Sequence, residues 1–345
     1  PPATARRTTL DAQPGPGTGL GPGRPTGSGP PAGWALRYDS GPHDFIGRRD
    51  EIDLILASPP VPLLHVVGPP GAGKSALLAE VRRRAPGRVA LGSVVGTGAL
   101  RLSWLHDLVT QLGIGGPPAH AVQRAMAAGR SLFREELAEL ADVLRERGPL
   151  VLAIDDAARL DEQSAAELAW LTRCGGELCL ALALRPEAQL AELPVARLHG
   201  AAVLHLRRLT HAEFRGTRDP DAAESSGGIP ALLAALHQPR RVAVATAVHL
   251  VGLRTRGLPE AAGRILRTCA ALGSLRVDQI ATLTDLPLPE VLRCTDQLVL
   301  AELVDEGPGG HIRHSSELVR AALAEQVSSA HTMYLRQRLK AVVSA

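Results

Sequence analysis

Residues 63–75, Leu-Leu-His-Val-Val-Gly-Pro-Pro-Gly-Ala-Gly-Lys-Ser, constrain this chain more than any other stretch. The apolar run Leu63, Leu64, Val66, Val67 predicts a buried strand, and a helical pattern starts directly after Ser75. Between them, Gly68-x-x-x-x-Gly73-Lys74-Ser75 is a P-loop in the strand–loop–helix setting that the motif requires. Glycines let backbone N–H groups curl around phosphate oxygens, and the new helix offers its positive end to the same anion. Gly68, Pro69, Pro70, Gly71, Ala72, Gly73, Lys74, Ser75 and Ala76 are therefore the candidate nucleotide-binding loop. Lys74 is placed to reach the β- and γ-phosphates, and the Ser75 hydroxyl to take one Mg²⁺ position. Lysine occurs only at Lys74 and Lys340, every other basic residue being arginine or histidine. A chain biased against lysine has one at the phosphate position.

The second chemical landmark is Pro149-Leu-Val-Leu-Ala-Ile-Asp155-Asp156, an apolar strand that ends in two carboxylates. Ligands of open parallel sheets bind at the carboxyl ends of strands. Asp155 fits a Walker B aspartate, which holds Mg²⁺ mostly through water. Asp156 stands where a general base would orient the attacking water. Further strands are expected over 88–95, 178–184 and 202–206, with helices over 102–112 and 119–147. Gly113–Pro118 reads as a loop.

With 345 residues the chain has room for two or three domains. Aromatic residues make up 2% and apolar residues 45%, so the cores must be leucine, valine and alanine packing. A net charge of +3 is modest for this length and gives no strong electrostatic case for nucleic acid. Cys174, Cys179, Cys269 and Cys294 form no C-x-x-C pair, and buried free thiols of a reducing compartment are expected. No apolar run approaches membrane-spanning length and no leader pattern stands at the start, so a cytoplasmic location is the default. Residues 1–41 are rich in Pro, Gly, Thr and Ser and read as a disordered linker.

Phe45-Ile46-Gly47-Arg48-Arg49-Asp50-Glu51, an acidic-started helix entry, precedes the P-loop strand. This arrangement resembles the entry motif of the STAND class of AAA+-related signalling NTPases. The resemblance implies that Ile46, Gly47 and Arg48 pack against adenine. The run Asp155-Asp-Ala-Ala-Arg-Leu-Asp161-Glu-Gln-Ser164 resembles that of large LuxR-type and SARP-type bacterial regulators, with Arg159 in place of their tryptophan. The class implies an αβα sandwich with a five-stranded parallel sheet in the order 5-1-4-3-2, a helical lid and a C-terminal winged-helix domain. Mapped onto this chain, the P-loop core covers 42–208, the lid 209–256, and the winged helix with the start of further helices 257–345. It also implies that Arg185, ending the 178–184 strand, reads the γ-phosphate. Pro230, in Gly228-Ile-Pro230, is the lid residue on adenine. His314 is a candidate nucleotide sensor, with Leu318 one residue off the family spacing. Thr210 reads as the cap of the first lid helix, and 303–314 as a hairpin around Gly307–Gly310.

The leading reading is an ATP/ADP-binding, Mg²⁺-dependent switch with slow hydrolysis, whose nucleotide state sets domain arrangement. DNA would be reached only indirectly, through another domain of a longer chain, and self-association on ATP binding is a further expectation. One alternative is an oligomeric AAA+ motor or loader, although such enzymes usually carry Glu at the position of Asp156. A second is a DNA-binding winged helix with a secondary NTPase. Against it, the candidate recognition helix Pro289–Leu303 has Arg293 as its one basic residue, beside Glu290, Asp296 and Glu302.

Overall fold

The computed structural model describes residues 45–57, 62–94, 102–174, 176–184, 202–214 and 220–343. Five parallel strands form the main sheet: β1 (Leu63–Val67), β2 (Val89–Ser93), β3 (Leu150–Asp155), β4 (Leu178–Leu184) and β5 (Ala202–His205). Their order is β2-β3-β4-β1-β5, the expected 5-1-4-3-2 arrangement read from the other edge. The four strands β1 to β4 are buried along their whole length, which is why they read as largely apolar runs without alternation, His65 being the polar residue inside β1. β4 lies between β1 and β3, so the P-loop and the Asp155 end of β3 open on the same edge of the sheet, one strand apart.

Helices α1 (Arg49–Ile55) and α2 (Lys74–Arg84) flank β1 in sequence, and α3 (Ser103–Gln111), α4 (Gly116–Ala127), α5 (Arg134–Glu146) and α6 (Glu162–Cys174) follow. Leucines of α3, α5 and α6 close one core over β3 and β4, with Trp104 as its largest side chain. Gln111 at the end of α3 clips the outermost strand. Its side chain accepts from Leu91 N at 3.0 Å and donates to Leu91 O at 2.7 Å. That side-chain amide occupies backbone groups which an edge strand would otherwise offer to another chain.

The helical region expected over 119–147 is two helices. Gly129 adopts φ +60°, with Arg130 N donating to Ala125 O and Gly129 N to Met126 O at 3.0 and 3.1 Å. This is a Schellman stop, and a left-handed position there favours glycine. The segment 116–118, expected as loop, opens α4, because proline is well placed in a first helical turn.

After β5, the expected helix at 211–214 is a turn, in which Glu213 accepts from Thr210 N at 2.7 Å. Then come α7 (Pro220–Ser226), α8 (Pro230–Leu236) and α9 (Arg240–Arg254). A second core gathers residues of α8 and α9 with α10 (Glu260–Leu272), α11 (Val277–Thr284), α12 (Leu288–Leu300), α13 (Glu317–Ala324) and α14 (Ser329–Val343). Strands β6 (Leu275–Arg276), β7 (Val304–Gly307) and β8 (His311–His314) form an antiparallel sheet in the order β6-β8-β7. The expected hairpin is β7–β8. Among the described residues no helix is long and apolar enough to cross a membrane.

Candidate functional site

The P-loop runs from the end of β1 into α2. Gly68 N donates to Leu184 O of β4 at 3.3 Å, which fixes where the loop leaves the sheet. Gly73 caps α2 in the left-handed region at φ +88°. Lys74 folds back over the loop, its Nζ donating to Gly68 O at 2.5 Å and Pro69 O at 3.2 Å. The ammonium is thus held at the mouth of the loop.

Ser75 and Asp155 meet across the sheet. Ser75 Oγ donates to Asp155 Oδ2 at 2.6 Å, while Asp155 Oδ1 accepts from Asp156 N at 3.0 Å. Asp155 is buried at 7% exposure, and Asp156 turns left-handed at φ +53°, which sends its side chain in a different direction. The two carboxylates are therefore in different settings, one enclosed and bonded to the P-loop serine, the other half-exposed. Among the described residues no group of three or more His, Cys, Asp and Glu could hold a metal ion unaided. A serine hydroxyl beside a single buried carboxylate suits Mg²⁺, which keeps several waters and takes its remaining ligands from substrate phosphates. The donor set fits that ion. When bound, Mg²⁺ neutralises charge building on the phosphates.

The entry motif is held by Glu213. Arg48, left-handed at φ +60°, donates its backbone N to Glu213 Oε1 at 3.1 Å and its Nη1 to Glu51 Oε1 at 2.9 Å. Its Nη2 donates to the Arg207 carbonyl. Gly47, at φ +71°, lies against Glu213, with a Cβ placed 2.5 Å from Oε1, so any larger residue would be strained here and would displace that carboxylate. Burial pushes the Glu213 carboxyl up, but the hydrogen bonds it accepts from Thr210 and Arg48 together outweigh that and hold it below the usual range. Ile46 packs on a small cluster of Leu209, Phe214, Ala222, Ala223 and Leu233. A cavity of about 910 Å³ borders this motif, lined by Gly47, Arg48, Asp50, Arg84, Leu204 and Glu213. No P-loop residue lines it, so it is separate from the phosphate cradle.

Helices α8 and α9 cover the P-loop. Ala231 N donates to Gly71 O at 3.1 Å, and Pro230 Cβ lies 3.3 Å from where a Cβ on Gly73 would stand. A Cβ on Gly71 would come within 2.8 Å of Leu250 Cδ1. Pro230 is therefore beside the loop. Arg254, at the end of α9, donates its Nε to Pro70 O at 2.9 Å.

His314 is placed differently. Its Nε2 is 3.0 Å from Leu266 O of α10, and its Nδ1 is buried without a hydrogen-bond partner among the described residues. Burial lowers its pKa, the Leu266 carbonyl opposing that only in part. None of the hydrogen bonds among the described residues joins it to the P-loop. Arg185 and residues 1–41 lie outside the described residues. Sequence reasoning missed Glu213, Ala231, Leu250 and Arg254. Glu213 carried a signal, since Thr210-x-x-Glu213 is a capping-box spacing; Leu250 and Arg254 belong to no motif that points to the P-loop.

Residues 44–184 match the AAA ATPase domain family. With the P-loop, the Asp155 strand and the strand order, this part of the chain is an ATPase-type domain. A Walker-type ATPase of Pyrococcus abyssi superposes with a TM-score of 0.57 at 18% identity, covering 84% of this chain and 98% of that one. A STAND protein with a tetratricopeptide-repeat sensor from Pyrococcus horikoshii gives 0.39 at 16% identity, over 88% of this chain and 46% of that one. The Aeropyrum pernix ORC1 protein in complex with DNA gives 0.38 at 16%, over 88% and 97%. The first likeness shows the fold; the other two are too loose to add to it. No curated protein matches the sequence.

Proposed function

We propose that this chain is an ATP-binding switch of the STAND type, with slow ATP hydrolysis, in which nucleotide state sets the arrangement of the domains around the P-loop. The observation that carries this reading is the cover over the phosphate cradle. Ala231, Pro230 and Leu250 bear on Gly71 and Gly73, so α8 and α9 are in direct contact with the loop that would hold the phosphates. A ligand shifts a two-state equilibrium only by its differential contacts with the two states, and the γ-phosphate is the group that distinguishes ATP from ADP.

The residues divide as follows. The P-loop amides and Lys74 bind the phosphates. Ser75 and Asp155 hold Mg²⁺, Asp155 through water. Asp156 orients the attacking water and accepts its proton, and Arg185 reads the γ-phosphate. Ile46, Gly47, Arg48 and Pro230 hold adenine, with His314 as a nucleotide sensor. Aspartate at 156 is a shorter arm than the usual glutamate, which favours slow turnover.

The C-terminal unit is read as a winged helix. Its helix–strand–helix–helix–strand–strand succession with sheet order β6-β8-β7 supports this. It is not read as the DNA contact, because α12 exposes Leu288, Leu292, Val299 and Leu300 with Arg293 as its one basic residue. Control of transcription through another domain of a longer, cytoplasmic chain rests on the resemblance of residues 155–164 to large bacterial regulators. Nucleotide titration with ATP, ADP and GTP tests the reading. ADP and ATP binding that is lost in Lys74→Ala supports it; equal binding by that variant refutes it.

A further inference from the structure

Arg254 joins three separate stretches of the chain. Its side chain, in the last turn of α9, is 1% exposed. Nε donates to Pro70 O of the P-loop at 2.9 Å. Nη1 donates to Ala301 O at 3.0 Å and Glu302 O at 3.3 Å, and stands 3.3 Å from Glu302 Oε2. Nη2 is buried and has no hydrogen-bond partner among the described residues. Burying a guanidinium with one donor unmatched is unfavourable, and a well-packed apolar side chain avoids that loss. Stability alone is a poor reason for an arginine here.

The geometry at Pro70 supplies a better one. A trans peptide is planar, so the Pro70 carbonyl and the Gly71 N–H point in opposite directions. A cation fixed on that carbonyl therefore fixes the direction of the Gly71 N–H and polarises it. The next carbonyl, Gly71 O, is held by Ala231 N at 3.1 Å. Two consecutive carbonyls at the apex of the loop are thus tied to α9 and α8. A P-loop binds phosphate only while its N–H groups converge on one point.

At its other end the arginine grips a constrained turn. Glu302 is left-handed at φ +54°, and its carbonyl also accepts from Ser315 Oγ at 2.8 Å. The turn leads directly into β7, so Arg254 meets the C-terminal unit at a rigid point.

We propose that Arg254 is a positioning residue for nucleotide binding, aiming the Gly71 N–H into the phosphate cradle through the Pro70 carbonyl. Because the same guanidinium holds Ala301 and Glu302, the aim depends on where the C-terminal unit sits. The proposal rests on the nucleotide-binding reading above and adds to it the residue that couples cradle to unit. Displacing β7 draws the counter-charge Glu302 away, and the arginine then loses the partner that keeps it over Pro70.

The test uses the full chain, with ADP affinity by calorimetry and amide exchange of the 68–75 segment without nucleotide. Arg254→Lys keeps the charge but replaces the planar fork, whose Nε and Nη1 serve Pro70 and Glu302 from two separate atoms, by a single nitrogen. Loss of one charged hydrogen bond predicts roughly tenfold weaker ADP binding and faster exchange in the P-loop. Glu302→Gln leaves the arginine in place and is expected to give a smaller loss in the same direction. Asp305→Asn removes a different link to the C-terminal unit, its ion pair with Arg208 at 2.6 Å, without touching Pro70. Wild-type affinity and exchange in Arg254→Lys, or an equal loss in Asp305→Asn, overturns the positioning role. Wild-type behaviour of Glu302→Gln overturns the coupling. A wild-type chain that binds no ADP, like Lys74→Ala, removes the nucleotide-binding reading itself and the proposal with it.

Discussion

Ser75 and Asp155 stand eighty positions apart in sequence, yet Ser75 Oγ donates to Asp155 Oδ2 at 2.6 Å. The contact spans from the start of α2 to the end of β3, with β4 between the two strands. Two buried strands set that spacing, so the pair is preorganised. Asp155→Asn keeps the shape and removes the charge that attracts a cation. It is expected to lower Mg²⁺-dependent ATP turnover by about tenfold to a hundredfold, the range seen when groups supporting a metal are changed. ADP binding measured in EDTA should change far less. An equal loss with and without Mg²⁺ would mean that Asp155 supports the fold only.

Gly71 offers a stability test of the cover over the P-loop. Its φ of +82° is unfavourable for other residues, and an added Cβ would stand 2.8 Å from Leu250 Cδ1. Gly71→Ala should cost about 1–3 kcal/mol in urea denaturation, from left-handed strain and overpacking together. Gly87 has nothing within 4 Å of a Cβ, so Gly87→Ala is the matched control and should be near neutral.

Glu136 sets an acid-side pH dependence. Its carboxylate bonds Arg130 Nη1 and Nη2 at 2.9 and 3.0 Å, and accepts from Phe133 N at 2.9 Å. The Arg130 hydrogen bonds, foremost, pull its pKa down to about 2. A depressed carboxylate pKa contributes stability that is fully present above the unfolded value and is lost as pH falls through the folded one. Glu136→Gln should therefore lower stability at neutral pH and flatten the loss between about pH 4.5 and pH 2. Parallel acid limbs for variant and wild type would contradict this.

The exposed face of α12 makes a prediction about nucleic acid. With Leu288, Leu292, Val299 and Leu300 outward, and Leu300 82% exposed, it lacks the cations that phosphate contacts need. Duplex DNA should bind no more tightly than the nonspecific range of about 10⁻⁴–10⁻⁶ M, and Arg293→Ala should leave that unchanged. Tighter, salt-sensitive binding lost in Arg293→Ala would restore the DNA-reading alternative.

What could be read from the chain beforehand divides along physical lines. Leu178–Leu184 was legible because burial on both faces leaves it no polar position. The order of the strands came from a resemblance, since no pattern within one strand records its neighbours. The break at Gly129 was readable in principle, because glycine followed by a polar pair is a helix stop; the apolar spacing on either side masked it. The turn at Thr210 reads as a helix start, because a capping threonine looks the same in both. Arg254 was not legible. A basic residue in the last turn of a helix ordinarily faces solvent and complements the dipole, and nothing local reveals that it reaches Pro70 from 184 positions away.

A nucleotide-gated switch with a slow catalytic step leaves a kinetic signature. The most direct measurement is steady-state ATP turnover across protein concentration, for wild type beside Lys74→Ala and Asp156→Asn. Turnover is expected well below about one per second, independent of concentration, with binding lost in Lys74→Ala and hydrolysis lost in Asp156→Asn. Fast turnover that rises with protein concentration and is abolished by Asp156→Asn would contradict it and point to an oligomeric motor.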